Sequence, residues 1–160
     1  RTLWNSLSKY PFGKQVFSWL FCIYAPYFLT IRPYVEDMKP GFAHCTMSQR
    51  WAVQNHIKTV HAIAVCNLVE MTMGIVAEST IPPHLRWLPM GMDISYLKKA
   101  TGKLHGTSTI DPDTFFSLPQ YPGEVKVPVE VKNAEGVVVT KAEVRLWISK
   151  KPNQEDKKSK

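Results

Sequence analysis

The chain has 160 residues, 44% of them hydrophobic, which suits one globular domain with a single core. Of its net charge of +7, the terminal stretch 150–160 contributes five lysines against two acidic residues. The rest has no basic stripe interleaved with aromatic residues, which argues against nucleic-acid binding. An acidic ligand such as a coenzyme phosphate remains compatible with this charge. Because 150–160 has no apolar residue, it is predicted to be a disordered basic tail.

The cysteines predict a reducing compartment. Cys22, Cys45 and Cys66 are odd in number and each lies in an apolar run, without a CxxC pair or the spacing of a metal site. Buried structural thiols in a cytoplasmic protein, with no metal, are the prediction.

The first 26 residues are predicted to form a helical extension packed on the domain. Helices are expected over 3–24, with a break at Pro11 and Gly13. Residues 16–31 are the one candidate membrane segment, but they are shorter than the roughly 20 residues of a span, and Pro26 interrupts them. No small-residue cleavage motif indicates a signal peptide. Peripheral membrane contact through the aromatic residues is the alternative.

A strand pair and a buried helix follow. The phrases "YFLTIRPYVEDMKPG" and "FAHCTMSQR" predict two strands joined by a turn at 39–41. Thr59 is predicted to cap a helix that carries the apolar run 63–77. This run leaves no polar face, so the helix should be surrounded by protein.

The remainder of the chain reads as about four antiparallel strands. Valines at 125, 127, 129 and 131 share one face, and Ala142, Val144, Leu146 and Ile148 alternate inward on the last strand. Pro128 indicates an edge strand or a bulge, and 111–123 reads as a long connection. The predicted class is therefore α+β: over 27–149, a long central helix is wrapped by a curved antiparallel sheet.

Three polar residues around the apolar helix carry a resemblance. Asn55, His61 and Glu70 have the spacing of a motif with Asn, a His-Gly-Gly six residues later, and an acidic residue nine after the His. The phrases "MDISYLKKATGKL" and "VEVKNAEGVVVTKAEVRLWI" are similar to later strands of the same proteins. Residues 28–149 thus resemble the hotdog-fold thioesterase superfamily, in particular the phenylacetate-pathway type of acyl-CoA thioesterase. "HAIAVCNLVE" most resembles an uncharacterised branch with HAI in place of His-Gly-Gly.

The chain departs from the family motif at three places. Ala62 and Ile63 stand where the family has two glycines, and Lys58 stands where a glycine usually precedes Thr-x-His. The stretch "LPMGMD" lacks the serine that some relatives supply there. These departures leave open a non-catalytic acyl-binding protein as the alternative function.

The resemblance implies a hydrolase of acyl-CoA or acyl-carrier-protein thioesters that needs no cofactor beyond the thioester substrate. Glu70 would be the general base or nucleophile, and the Ala62 N–H would form the oxyanion hole at the helix start. Asn55 would orient the carbonyl or the water, and His61 would brace the loop. The alternatives are a salt bridge or an exposed position for Glu70, and a turn role for Asn55.

Glu70 is nine residues after His61, which places the two side chains about half a turn apart around one helix. One chain would therefore assemble only half a site. The resemblance implies the same arrangement, with active sites at the interface of a homodimer or a dimer of dimers.

Overall fold

The computed structural model describes residues 2–113 and 122–151. Its order of elements confirms the α+β prediction. A 3₁₀ helix, Pro26–Thr30, separates two N-terminal helices from the first strand hairpin. The remaining elements are α1 (Thr2–Leu7), α2 (Gly13–Tyr24), β1 (Tyr34–Lys39), β2 (Phe42–Ser48), α3 (Ala62–Thr80), β3 (Leu85–Tyr96), β4 (Lys103–Thr109), β5 (Gly123–Lys132) and β6 (Val138–Lys150).

Two predicted features fall partly outside the described residues. The connection 111–123 is described only at its ends, and the predicted tail is described only for Lys150, which closes β6, and Lys151. The first predicted strand begins later than expected, because Pro26 opens a 3₁₀ helix and Pro33 cannot donate to a ladder.

The six strands form one antiparallel sheet in the order β1-β2-β4-β5-β6-β3, and α3 packs on its inner face. Both predicted rows of inward residues are buried: the four valines of β5, and Ala142, Val144, Leu146 and Ile148 of β6. The predicted turn also forms, with Gly41 at a φ of 78° and its N–H donating to Thr80 Oγ1. The hairpin is thereby tied to the end of α3.

Close contact between α3 and the sheet depends on Gly106 of β4. A Cβ there would lie 2.6 Å from Thr72 Oγ1 and 3.3 Å from Leu68 Cγ. Any larger residue would push the helix off the sheet, because interiors are packed to crystal-like density. This contact explains a glycine in a strand interior.

Pro128 lies in an internal strand rather than at the edge of the sheet. The pairing of β5 with β4 covers only 105–107 against 130–132, so it ends before Pro128. The Pro128 carbonyl accepts from Ser108 Oγ at 2.7 Å, so this residue's backbone polar groups face β4. Because β4 is not paired with β5 at this position, the N–H that proline lacks would have had no partner in the sheet. At Pro128, β5 therefore behaves as an edge strand on the side of β4.

The N-terminal helices cover one edge of the sheet. The Val35 N–H of β1 donates to Ser18 Oγ at 2.9 Å, and Lys14 Nζ donates to the Glu36 carbonyl. Backbone groups on the outer side of β1, the Val35 N–H and the Glu36 carbonyl, are thus hydrogen-bonded by side chains of α2. Covering an edge strand in this way is a common protection against pairing with other chains. Among residues 2–113 and 122–151, no element covers the other edge strand, β3, and its Leu88 and Met90 are exposed.

The cap predicted at Thr59 was wrong, because α3 begins two residues later. His61 is the cap, and Thr59 lies in a tight loop closed by a bridge between Gln54 and Val60. The Thr59 N–H donates to Asn55 Oδ1, and its backbone carbonyl accepts from the Asn55 N–H. Its backbone is therefore committed to the loop.

Lys58 in this loop has a φ of 60°, a left-handed conformation that costs a residue with a Cβ about 1 kcal/mol. We expect Lys58→Gly to stabilise the fold by up to about 1 kcal/mol and to raise Tm by roughly 2–4 °C. Thermal unfolding measures this. Lys99→Gly is the control, since Lys99 has no positive φ and glycine there should lower Tm. A lower Tm for Lys58→Gly would contradict the strain.

Candidate functional site

The start of α3 is held by His61. Its side-chain Nδ1 accepts from the Ile63 N–H at 3.1 Å. The backbone N–H of His61 donates to the Val53 carbonyl at 2.8 Å. An accepting Nδ1 places the proton of the neutral ring on Nε2. His61 thus joins the loop before the helix to the first turn of α3.

Two backbone donors remain free beside this cap. Within residues 2–113 and 122–151, no acceptor is recorded for the N–H groups of Ala62 and Ala64, whereas the Val65 N–H donates to the His61 carbonyl. Free donors at the positive end of a helix favour a negatively charged oxygen. A cavity of about 170 Å³ borders this turn and is lined by Tyr27, Thr30, Gln54, His61, Ala64 and Asn67, among others.

Asn55 lies next to this site but is engaged in its own loop. Its Oδ1 accepts from the N–H groups of Ile57 and Thr59 at 3.1 Å each, and its Nδ2 donates to Thr59 Oγ1 at 2.8 Å. These are the contacts of a turn residue. They fix the loop that leads into the helix start.

Glu70 is half-buried and lies apart from these residues. It is eight residues after Ala62, which corresponds to about 12 Å along the helix axis. None of the ion pairs among the described residues includes Glu70. One chain therefore brings Asn55, His61 and Ala62 together and leaves Glu70 two turns away.

Glu70 opens into a groove of about 640 Å³ beneath the N-terminal helices. A second carboxylate on the groove, Glu78, accepts from Trp87 Nε1 at 3.4 Å. A Cβ on Gly74 would lie 3.5 Å from Trp87 Cη2, so glycine keeps the groove open between the two carboxylates. The other walls are apolar and include Phe17, Leu20, Phe21, Phe28, Ile75 and Leu88.

Asn67 is a residue whose role sequence reasoning missed. It is buried, and its Nδ2 donates to Thr30 Oγ1 at 2.9 Å, while that hydroxyl donates to the Tyr27 carbonyl. Its Oδ1 has no partner among the described residues. It lies three residues after Ala64 and three before Glu70, on the stripe that borders both cavities, and that spacing is the signal that could have identified it.

The cysteines are free thiols, as the sequence predicts, but Cys66 is half-buried rather than buried. Burial raises the pKa of Cys45 to about 12 and also raises the pKa of Cys22. Burial, followed by the hydrogen bond to Cys66, raises the pKa of the Tyr96 phenol. Tyr96 Oη also donates to the Ala62 carbonyl at 3.2 Å, which supports the helix start.

Comparison with solved structures shows the class of protein. The structural-genomics protein APC5556 is 37% identical, with a TM-score of 0.74 over 84% of this chain and 88% of that one. PA5026 from Pseudomonas aeruginosa, described as a "Probable Thioesterase", is 16% identical, with a TM-score of 0.72 over 77% and 86%. The thioesterase HI1161 from Haemophilus influenzae is 10% identical, with a TM-score of 0.65 over 76% and 81%. The protein has the hotdog fold, as the resemblance implies.

The particular family follows from the sequence. The chain belongs to the family described as "Domain of unknown function (DUF4442)", whose model matches residues 13–148. No curated protein matches the chain.

Proposed function

We propose that this protein is a cytoplasmic thioesterase that hydrolyses fatty acyl-CoA. One observation carries the proposal: Glu70, a half-buried carboxylate without an ion pair among the described residues, opens into a largely apolar groove of about 640 Å³. The N–H groups without an acceptor among the described residues at the start of α3, and the fold shared with the thioesterase HI1161 and the probable thioesterase PA5026, support it.

The reaction needs a base and an oxyanion site. Glu70 takes a proton from water as the water oxygen attacks the thioester carbonyl carbon. The carbonyl oxygen becomes negative and accepts from the Ala62 N–H at a helix start. The oxyanion then re-forms the carbonyl as the carbon–sulfur bond breaks, and the sulfur takes the proton from Glu70 and leaves as the thiol, which restores the Glu70 carboxylate. Asn55 and His61 are positioning residues, because they fix the loop and the first turn.

The site requires two chains, because about 12 Å of helix separates Ala62 from Glu70 within one chain. We propose a homodimer in which Glu70 of one chain faces the helix start of its partner. The uncovered edge strand β3, with Leu88 and Met90 exposed, supplies the surface for pairing. The other edge is already covered by α2, so pairing through β3 leaves no open edge.

Coenzyme A is the proposed carrier because exposed lysines lie in the loop before the helix start and in the connection bonded to that loop. Lys58, Lys98 and Lys99 are exposed. Ala100, the residue after Lys99 in the connection between β3 and β4, accepts from the Val60 N–H, which joins this connection to the loop before the helix. No acidic residue lies between Asp37 and Glu70. Phosphates would meet little repulsion at this end of the molecule.

Gly74 is expected to set the acyl chain length. In a helix interior, glycine costs about 1 kcal/mol relative to alanine, and here a Cβ would fit against Trp87 without a clash. We expect Gly74→Ala to raise Tm and to lower kcat/KM for palmitoyl-CoA relative to butyryl-CoA by roughly tenfold, since it narrows an apolar pocket by one methyl group. Butyryl-CoA turnover is the internal control. An unchanged ratio would mean that the acyl chain lies elsewhere.

A panel of acyl-CoAs and acyl-carrier proteins, assayed for release of free thiol, tests the proposed function. Release from long-chain acyl-CoA is the expected result. Saturable binding of the same thioesters without release would instead establish the acyl-binding alternative. That alternative is favoured by Ala62 and Ile63 in the places of the two family glycines.

A further inference from the structure

Helix α2 has an apolar face on the outside of the molecule. Phe12, Val16, Trp19 and Ile23 recur at the spacing of one helical stripe, and each is 44% exposed or more. Tyr27 continues the stripe and is 66% exposed. We call these five residues the outer stripe. The opposite side of α2 carries Phe17 and Phe21, so the helix lacks the charged face of an ordinary surface helix.

Phe12 is held at a cost to the fold. Its φ is 62°, a left-handed conformation that disfavours any residue with a Cβ, and its ring is 75% exposed. Neither the backbone nor the packing favours an aromatic residue here. An outside surface that takes up the ring would explain it.

The charged residues of the N-terminal segment that carries the stripe are all basic. Residues 1–35 contain four basic and no acidic residues, together with ten of the eighteen aromatic residues. Lys9 and Arg32 are exposed, and neither belongs to an ion pair recorded for the described residues. Exposed aromatic residues with unpaired basic residues are the combination that binds anionic membrane surfaces.

We propose that the outer stripe docks this protein on an anionic lipid bilayer. The helix lies in the interface, because its 12 residues are about 18 Å long and cannot span the hydrocarbon. The helix with the length and composition of a span among the described residues is α3, and 67% of that window is buried in the core. The membrane is therefore contacted from one side only.

Docking would place the acyl groove at the lipid surface. Phe17, Leu20 and Phe21 of α2 wall that groove, while the outer stripe occupies the other side of the same helix. An acyl chain dissolved in the bilayer would then reach Glu70 past the rim residue Tyr24. This consequence rests on the proposed function, whereas the docking itself does not.

Vesicle co-sedimentation of the full chain tests the docking without any thioester. We expect binding to vesicles of phosphatidylcholine with phosphatidylglycerol, weaker binding to phosphatidylcholine alone, and a decrease with added salt. Trp19→Ser with Ile23→Ser should weaken binding by roughly tenfold or more. Lys9→Glu with Arg32→Glu should weaken binding to the anionic vesicles only, by roughly fivefold for each residue.

Two further variants separate docking from folding. Phe12→Asn should lower vesicle binding while Tm stays equal or rises, because asparagine tolerates the left-handed conformation. Trp147→Ser is the matched control, an exposed tryptophan on β6 whose loss should leave binding unchanged. No binding to anionic vesicles, or equal binding by the Trp19 variant, would overturn the proposal. The proposal would also be overturned if the Trp19 variant converted a dimer to a monomer but bound vesicles as before. The outer stripe would then be a contact surface between copies of this chain.

Discussion

Replacement of Glu70 by glutamine is expected to lower thioester turnover by roughly 10² to 10⁴, the effect of removing a positioned general base. The amide has nearly the same shape but cannot take a proton from water. Glu70 is half-buried and has no ion pair among the described residues, so its loss breaks no recorded structural contact. Glutamine also has about the same helix propensity. The fold and Tm should therefore be retained, as circular dichroism and thermal unfolding would show.

Two other glutamates make this result specific. Glu143→Gln is the control, because Glu143 pairs with Lys126 on the sheet surface and should affect neither turnover nor fold by much. Glu78 lies on the same groove as Glu70, with its carboxylate on Trp87 Nε1. If Glu78→Gln abolished turnover while Glu70→Gln left it intact, the catalytic role would belong to Glu78.

The strands could be predicted because apolar residues alternate with polar residues along them, and this alternation indicates which side chains are buried. Alternation in β5 and β6 identified the inward residues, and Pro40-Gly41 marked the hairpin turn. A period of two needs only the pleat of a strand, which is a local property. The helix was predictable for the same reason, since a run without a polar face must be surrounded by protein.

The helix start was mispredicted because its capping depends on loop closure. Thr59 has better intrinsic cap propensity than His61, but the bridge between Gln54 and Val60 holds the Thr59 backbone in the loop. The bond from Asn67 to Thr30 joins residues 37 apart in the sequence. No local pattern reports such a contact.

The groove could not be predicted for a related reason. Hydrophobic periodicity shows that a face is covered, but it does not show which element covers it. Ser18 of α2 meets Val35 of β1 across the sheet edge, and this contact sets the N-terminal helices over Glu70. The sequence shows that the aromatic run of α2 is apolar. Which of its residues line the groove and which are exposed is seen only in the three-dimensional structure.

Removal of one backbone donor at the helix start provides the second large effect. Ala62 is the first residue of α3, a position where proline is well tolerated. His61 before it has a φ of −63° and a ψ of 138°, which the residue before a proline readily adopts. Ala62→Pro therefore deletes the N–H while the helix stays intact, and turnover should fall roughly 10²- to 10³-fold. Ala62→Ser keeps the N–H and is the matched control.

The two inactive variants together test the shared site. In a mixture of equal amounts, about half of the dimers are mixed, and each mixed dimer pairs Glu70 of one chain with an intact helix start of the other. Turnover should return to about a quarter of that of the unmodified protein. Light scattering should show a dimer, and Met90→Lys on the uncovered edge strand should weaken it and lower the recovered turnover. Dimers that exchange chains without recovery would show that Glu70 and Ala62 act within one chain. A strictly monomeric active protein would remove the shared site altogether, since about 12 Å of helix would then separate the base from the oxyanion donor.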